Sequence, residues 1–251
     1  MIDLRGRRAL VTGGSRGIGA ATARLLARAG ADVVIGYRSR TADAESVVAE
    51  LVALGVNAAA RASDISTRAG AEDLVGFTVE TLGGLDLFVA NAGIWPSVET
   101  SVAEMDDERW ANTMRENVDS VFYTTRAVVR AITDGGRIVL VSSTAGQRGE
   151  SFHADYGTSK GAVISFTKSL AIELAARDVT VNSVAPGWVD TEMCADPFAN
   201  EGRARIERGI PLGRIASSDD IAGPIVFLCS SLARHVTGEI LNVNGGSVLC
   251  G

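Results

Sequence analysis

The sequence predicts an α/β protein of one domain, 1–251, organised as a doubly wound parallel sheet of seven strands with helices on both faces. Three observations predict it. Short apolar runs alternate with longer helical segments along nearly the whole chain, with no internal repeat or linker between them. Hydrophobic residues make up 46% of the 251 but aromatics only 5%, so the core must be built from Ala, Val, Ile and Leu, as suits strands covered on both sides. A glycine-rich turn joins the first apolar run to the first helical segment, the way a βαβ unit begins.

Taken in order, residues 8–12 form the first strand. Gly13-Gly14-Ser15-Arg16-Gly17-Ile18-Gly19 follows, then an Ala/Leu-rich helix reaching Gly30. Glycines let such a turn approach a pyrophosphate closely, and the free N–H groups at the helix start hold the anion. The spacing is Gly-x-x-x-Gly-x-Gly rather than the commoner Gly-x-Gly-x-x-Gly. Residues 32–36 are the second strand, and Tyr37-Arg38-Ser39-Arg40 continue from it. An acid there would bind the ribose hydroxyls of NAD, whereas a base accommodates the extra phosphate of NADP. Arg38, with Arg16 able to reach the same phosphate, therefore favours NADP(H), with NAD as the alternative. Asp32 lies about 20 residues after Gly13, but at the beginning of its strand, and is rejected as the ribose ligand.

A helix over 41–54 closes at Gly55, and a third strand over 57–61 leads to Ser63-Asp64-Ile65. Asp64 reads either as an adenine contact or as the start signal of the helix over 68–82, which stops at Gly83-Gly84. The buried strand 85–90 ends in Asn91-Ala92-Gly93, small residues that let backbone pass close to a ligand. A long helix is expected over 104–132; Asn117 within it reads from pattern alone as solvent-facing. The fifth strand, 136–142, ends at Ser142-Ser143, and strand C-termini are where ligands sit in open α/β sheets.

The next helix, 154–177, carries Tyr156 and Lys160, four apart and so on one face. A cation beside a phenol favours the phenolate and draws it toward the working pH range. An isolated Tyr-x-x-x-Lys is more commonly a half-buried Tyr beside a snorkelling Lys, so the pair acquires meaning only from its surroundings. A sixth strand, 179–184, ends in Ala185-Pro186-Gly187. Over 188–215 the alternation stops, and a polar segment with helical content at 199–207 reads as a substrate loop or lid. A helix over 219–228 follows a Ser217-Ser218 cap, and the last strand is 240–243.

Composition excludes several classes of partner. Twenty-four basic against thirty acidic residues leave a net charge of −6 without any basic run, which argues against nucleic acid and anionic membranes. No apolar run approaches the roughly 20 residues of a membrane span, and no signal-peptide core follows Met1. Cys194, Cys229 and Cys250 are odd in number and lack metal-type spacing, so neither disulfides nor a metal site is expected, and a reducing cytoplasm fits. The cysteines and both histidines, His153 and His235, read as structural, with Cys194 placed at the lid.

Thr12 to Gly19, Asp64, Asn91-Ala92-Gly93, Asn117, Ser143, Tyr156-x-x-x-Lys160 and Pro186-Gly187 together resemble the short-chain dehydrogenase/reductase family, over essentially the whole chain. The resemblance implies a Rossmann-type fold and an NAD(P)-dependent enzyme acting on CH–OH and C=O groups. It makes Tyr156 the acid/base and Lys160 the group that lowers its pKa while holding the nicotinamide ribose. Ser143, rather than Ser142, would bind the substrate oxygen, and Asn117 would hold a water linking Lys160 to solvent. It places the cofactor on Gly13, Ser15, Arg16, Gly17, Ile18 and Gly19, on Arg38, Asp64 and Ile65, on Asn91, Ala92 and Gly93, and on Pro186, Gly187, Val189 and Thr191.

Within the family the chain is most similar to bacterial 3-oxoacyl-[acyl-carrier-protein] reductases, with departures. His153-Ala154-Asp155 stands where Gln-Ala-Asn is common. Thr133-Asp134-Gly135 replaces a turn that is often basic for docking the acidic carrier, although Arg130 and Arg177 remain, and Asn242-Val243-Asn244-Gly245-Gly246 replaces Val-Asp-Gly-Gly. The substrate is accordingly an acyl thioester, with acyl carrier protein as a possible partner, or alternatively a small alcohol, ketone, quinone or sugar. Specificity would lie in 94–97, 146–153 and 188–215. A non-catalytic nucleotide-binding regulator is the reading from another class, and retention of Asn117, Ser143, Tyr156 and Lys160 together argues against it. Residues 161–172 are apolar around most of the helix, which one sheet face cannot cover, and a homotetramer follows from the resemblance.

Overall fold

In the computed structural model, which describes residues 2–249, successive side chains of the apolar runs go to opposite faces of one sheet, and both faces are buried. Cys250 lies outside the described residues. The strands are β1 (Arg8–Thr12), β2 (Asp32–Tyr37), β3 (Ala58–Ala62), β4 (Leu85–Ala90), β5 (Ile132–Val141), β6 (Thr180–Pro186) and β7 (Ile240–Val243). All are parallel, in the order β3-β2-β1-β4-β5-β6-β7.

The register lines up Val34, Leu10, Phe88, Ile138 and Val181 across five strands. This row packs under α3 (Arg68–Leu82), α5 (Ser120–Ala131) and α7 (Ala154–Leu174) through Leu74, Val128, Val163 and Leu170. The adjacent row, Ile35, Val11, Val89 and Val139, faces the opposite way. It meets Leu26 of α1 (Gly17–Arg28), Leu51 of α2 (Thr41–Ala53) and Ile221 and Ile225 of α10 (Ser218–Leu228). Each such fully buried aliphatic side chain contributes about 1.5–3 kcal/mol. The remaining helices are α4 (Asp107–Met114), α6 (Thr144–Arg148), α8 (Ala195–Phe198) and α9 (Gly202–Glu207).

Several boundaries differ from expectation for local reasons. The helix expected from 104 begins at Asp107 because the Asp106 carboxylate accepts the Arg109 N–H at 2.7 Å, and it is broken by a π-helical stretch, Arg115–Asp119. Asp64 is not the cap of α3: Thr67 is, accepting from Gly70, while Asp64 accepts from the backbone and hydroxyl of Ser66. β5 starts at Ile132 opposite Leu85, then bulges over 133–136, with Gly135 at φ +74°, before Arg137 pairs with Leu87. α10 opens with a reciprocal capping box between Ser217 and Asp220.

Strand order reverses between β1 and β4, which opens a crevice beyond Thr12 and Ala90. The N-termini of α1 and α6, which follow β1 and β5, open onto it, as does the Asn91-Ala92-Gly93 turn that ends β4. No helix among the described residues is long and apolar enough to cross a membrane.

Candidate active site

The crevice is a cavity of about 980 Å³. The side of it beyond β1 is the glycine turn. The Thr12 hydroxyl accepts the N–H groups of Asn91 and Ala92 at 3.0 and 3.1 Å, and the Asn91 amide donates to the carbonyls of Thr12 and Gly13 at 3.1 and 3.2 Å. Asn91 therefore clamps the turn across the switch point. A Cβ on Gly19 would stand 2.2 Å from the Gly13 carbonyl oxygen, so only glycine allows this packing. Arg16, at the N-cap of α1, makes no side-chain cap, and the first turn of α1 carries no acid, so its free N–H groups fit an anion such as a pyrophosphate.

Arg38 and Arg40 stand at the end of β2 and Arg16 beside them, all on the cavity wall. Arg38 pairs with Glu116, and Glu192 takes both Arg16 and, at 2.7 Å, Arg40. Asp43 also pairs with Arg40 at 3.2 Å, so the three guanidiniums are held at the surface by three carboxylates, for which an additional phosphate could exchange.

Three strands away from β2, Ser143, Tyr156 and Lys160 face the same cavity. The separation, roughly 14 Å at the usual strand spacing, is the reach a dinucleotide needs. Of the two serines, Ser142 turns inward to the Val184 carbonyl and the Ser183 hydroxyl, while Ser143 hydrogen bonds with the Tyr156 phenol. The α7 helix sets the Lys160 ammonium 5.8 Å from the Tyr156 ring centre, and it donates to the Val141 carbonyl at 3.0 Å. Burial pushes the phenol above its ordinary range against the lowering effect of Ser143, and burial brings Lys160 down to about 8. Withdrawal from water is thus the largest effect on both groups, and at the phenol the nearby Glu150 adds to the rise.

Asn117 is fully buried rather than solvent-facing. Its carbonyl accepts the Ile94 N–H at 2.8 Å, and its amide donates to the Ile94 carbonyl at 2.9 Å and to the Ser159 hydroxyl at 3.0 Å. Ser159 in turn donates to the Tyr156 carbonyl at 2.8 Å, so Asn117 ties the loop after β4 to the catalytic-helix candidate. The π-helical turn re-aims this residue inward, a common device at functional sites. A Cβ on Gly93 would lie 2.9 Å from the Asn117 carbonyl oxygen and 3.4 Å from the Lys160 ammonium, which shows how tightly the three meet.

Gly13, Ser15, Arg16, Gly17, Ile18, Arg38, Asp64, Ile65, Asn91, Ala92, Gly93, Pro186, Gly187, Val189 and Thr191 all line this one cavity, whereas Gly19 and Asn117 stand behind its wall. The 188–215 excursion is anchored at its base by Val189 alongside Ala216 and by the Asp190 N–H to the Ala216 carbonyl.

Other residues of the site lie in the segments expected to set specificity without being singled out there, or, as with Glu116, outside any of them. Glu116 and Glu192 carry no motif; their arginines are 78 and 152 or more positions away. Trp95, Trp188 and Glu150 line the cavity beside Tyr156. His153, buried, stacks on Trp95 at 4.9 Å. Asp155, fully buried and adjacent to Tyr156, is held ionised by the Arg109 guanidinium at 3.1 Å and the Thr113 hydroxyl at 2.9 Å against the cost of burial. The Arg109 ion pair gives an acid a partner at the position where the resemblance has Asn, and Arg109 also donates to the Val98 carbonyl at 2.6 Å.

A family model described as Enoyl-(Acyl carrier protein) reductase matches residues 13–247. The chain is 39% identical over 248 residues to 3-oxoacyl-[acyl-carrier-protein] reductase FabG of Vibrio cholerae, covering 98% of each. It is also 39% identical to an L-rhamnose 1-dehydrogenase (NAD(P)(+)) of Sphingomonas sp., covering 97% of this chain and 96% of that one. A short chain dehydrogenase of Burkholderia cenocepacia, solved in complex with NADP, superposes with a TM-score of 0.91 at 36% identity, over 97% of this chain and 98% of that one.

Proposed function

This chain belongs to the short-chain dehydrogenase/reductase family of NAD(P)-dependent oxidoreductases, and we propose that it works with NADP(H) on a small-molecule carbonyl or secondary alcohol, with Tyr156 as acid/base. The observation that carries the reading is the meeting of Ser143, Tyr156 and Lys160 in one cavity with the arginines at the end of β2.

In this reading Gly13, Gly17, Ile18 and the start of α1 hold the pyrophosphate, and Arg16, Arg38 and Arg40 the additional phosphate, exchanging Glu116 and Glu192 for it. Asp64, Ile65 and Asn91 flank the adenosine, and Pro186, Gly187, Val189 and Thr191 the nicotinamide. When bound, the nicotinamide supplies or accepts the hydride. Ser143 donates to the substrate oxygen, and Tyr156 gives that oxygen its proton in reduction or removes it in oxidation. Lys160 stays largely protonated at neutral pH, and its charge stabilises the phenolate left when Tyr156 has given up its proton. Asn117 keeps the Ile94 loop and α7 in register, with Ser159 between them. The 188–215 excursion closes over the substrate as a lid.

Among substrates, the 3-oxoacyl thioester reading draws on the reductase relatives and the sugar reading on the rhamnose dehydrogenase. Delivery by a carrier protein is disfavoured. The turn that would meet an acidic carrier bears Asp134, which takes the Arg177 guanidinium at 2.8 Å, and of the two arginines only Arg130 stays largely exposed, 4.0 Å from Glu72. A homotetramer is supported by the outer face of α5 and α7, where Phe122 is 42% and Ile172 81% exposed and Phe122 meets Phe166 edge-on. Cytoplasmic residence accords with NADP(H) use.

The test is to follow cofactor absorbance with NADPH and NADH against an acetoacetyl thioester and a panel of ketones, quinones and sugars. NADPH-linked turnover that falls at least 1,000-fold in Tyr156→Phe, with NADPH affinity kept, supports the reading, because the loss is then in the chemical step. Wild-type turnover in Tyr156→Phe overturns it.

A further inference from the structure

We propose that Arg109 is a positioning residue for the reaction: one edge of its guanidinium holds the first turn of α7 and the other holds the loop after β4, so that the substrate wall at Trp95 and the Tyr156 phenol are fixed relative to each other. The proposal rests on the oxidoreductase reading above and adds to it a residue that touches neither substrate nor cofactor.

Asp155 receives the first edge. It precedes Tyr156 in the first turn of α7, and its carboxylate is fully buried. Arg109 Nε reaches its Oδ2 at 3.1 Å and Nη2 its Oδ1 at 3.5 Å. The Thr113 hydroxyl donates to Oδ2 at 2.9 Å, and the Tyr156 backbone N–H donates to the same carboxylate. A buried carboxylate keeps its place only with a cation and donors around it, and a planar fork fixes direction as well as distance. The chain departs from the family's Asn at this position, and the acid is what makes the guanidinium necessary.

The second edge takes the loop. Arg109 Nη1 donates to the Val98 carbonyl at 2.6 Å and to the Thr100 hydroxyl. Two further ties join the same loop to the segment before α7: the Thr100 N–H donates to the Phe152 carbonyl at 3.0 Å, and His153 stacks on Trp95 at 4.9 Å. Phe152 has φ +62°, in the left-handed region that is costly for a bulky side chain and persists only where neighbours hold it. Trp95 lines the active-site cavity on one side and, with Ile94, Pro96 and Arg109, a second hollow of about 450 Å³ on the other. A loop backed by open space is held by its ties instead of by packing. Substrate seated against Trp95 meets the phenol in line only while loop and helix keep one arrangement, and a misplacement of about 1 Å is worth roughly 100-fold in rate.

The experiment compares wild type, Arg109→Lys, Thr100→Val and Arg109→Met/Asp155→Asn. It measures kcat and KM with NADPH and the member of the panel above that wild type turns over fastest, NADPH affinity by fluorescence titration, and urea unfolding. Lysine keeps a cation for Asp155 but cannot also span to Val98 and Thr100, and the double variant removes the buried charge together with its partner. Both should fold, bind NADPH within threefold of wild type, and lose about 10- to 100-fold in kcat with KM changed less than threefold, because substrate still binds but out of line with the phenol. Thr100→Val leaves the Asp155 pair whole and so folds; it should lose about 2- to 10-fold in kcat by itself and nothing further in an Arg109→Lys background, since both act through one tether. A merely structural pair would return kcat along with stability in the double variant. Wild-type kcat in any folded variant overturns this proposal alone, as does a loss confined to KM or one matched by an equal loss of NADPH affinity. Absence of wild-type turnover with every member of the panel overturns the oxidoreductase reading and this proposal with it.

Discussion

Replacing Lys160 by Met should make the folded protein more stable while abolishing turnover. Lys160 is 5% exposed and burial lowers its pKa from 10.5 to about 8. At pH 7 the chain therefore keeps a charged ammonium at a place where burial penalises the charge. A shift of this size corresponds to about 3 kcal/mol. Methionine fills a similar volume without a charge but leaves the Val141 carbonyl without its 3.0 Å donor, which returns roughly 1–2 kcal/mol. The net gain at pH 7 is about 1–2 kcal/mol, or a rise of roughly 2–8 °C in Tm for a chain of this length.

The dependence on pH is the sharper signature. Because the folded pKa is depressed, the unfolded chain binds more protons between about 8 and 10.5, so wild-type stability from this group rises with pH through that window. Between pH 7 and 9 the rise is roughly 1 kcal/mol, and the advantage of Lys160→Met should shrink by that amount. Cys229, pushed up to about 12 by burial, works in the opposite direction but equally in both proteins, so it cancels from the difference. Urea unfolding followed by tryptophan fluorescence, at pH 7 and 9 and one protein concentration, measures it. A variant less stable than wild type at pH 7, or a gap that does not narrow by pH 9, refutes the reasoning.

Arg38→Ala should weaken NADPH about 10- to 100-fold by fluorescence titration and leave NADH within threefold, since it removes a charged partner of the additional phosphate; equal losses would place Arg38 elsewhere. Arg109→Met leaves Asp155 charged and fully buried, at a cost of about 3–5 kcal/mol. Wild-type Asp155 stabilises above its unfolded pKa and loses this as pH falls through the folded one, whereas in Arg109→Met stability should fall as pH rises. Arg109→Met/Asp155→Asn should regain most of the loss, and a single variant within 1 kcal/mol of wild type would show the pair to be dispensable. Gly19→Ala should abolish cofactor binding, because its Cβ has no room beside the Gly13 carbonyl, while Gly76→Ala, exposed in α3 with nothing within 4 Å, should add about 0.5–1 kcal/mol in thermal unfolding.

Most of the fold was legible because local sterics write it into neighbouring residues. Strand β4 over 85–90 and helix α3 over 68–82 have the expected bounds, each set by an apolar period and ended by small residues. The 104–132 helix was read as continuous because nothing local marks the π-helical turn; the hydrogen bonds of Asn117 to Ile94, 23 positions earlier, turn it inward. The start of β5 was placed too late because Ile132 belongs to the sheet through Leu85, not through its neighbours.

By itself, then, the sequence determined the alternation of strand and helix, the glycine turn, and the one-turn spacing of Tyr156 and Lys160, since each depends on residues within a few positions of one another. Only the tertiary structure decided that Glu116 and Glu192 meet the arginines, that Glu150 and two indoles wall the cleft, and that the buried Asp155 has a guanidinium partner. It also decided that Tyr156 and Lys160 are both withdrawn from water. Partners brought together by the sheet order, and the dielectric they share, come into being when distant elements meet, and no local pattern encodes them.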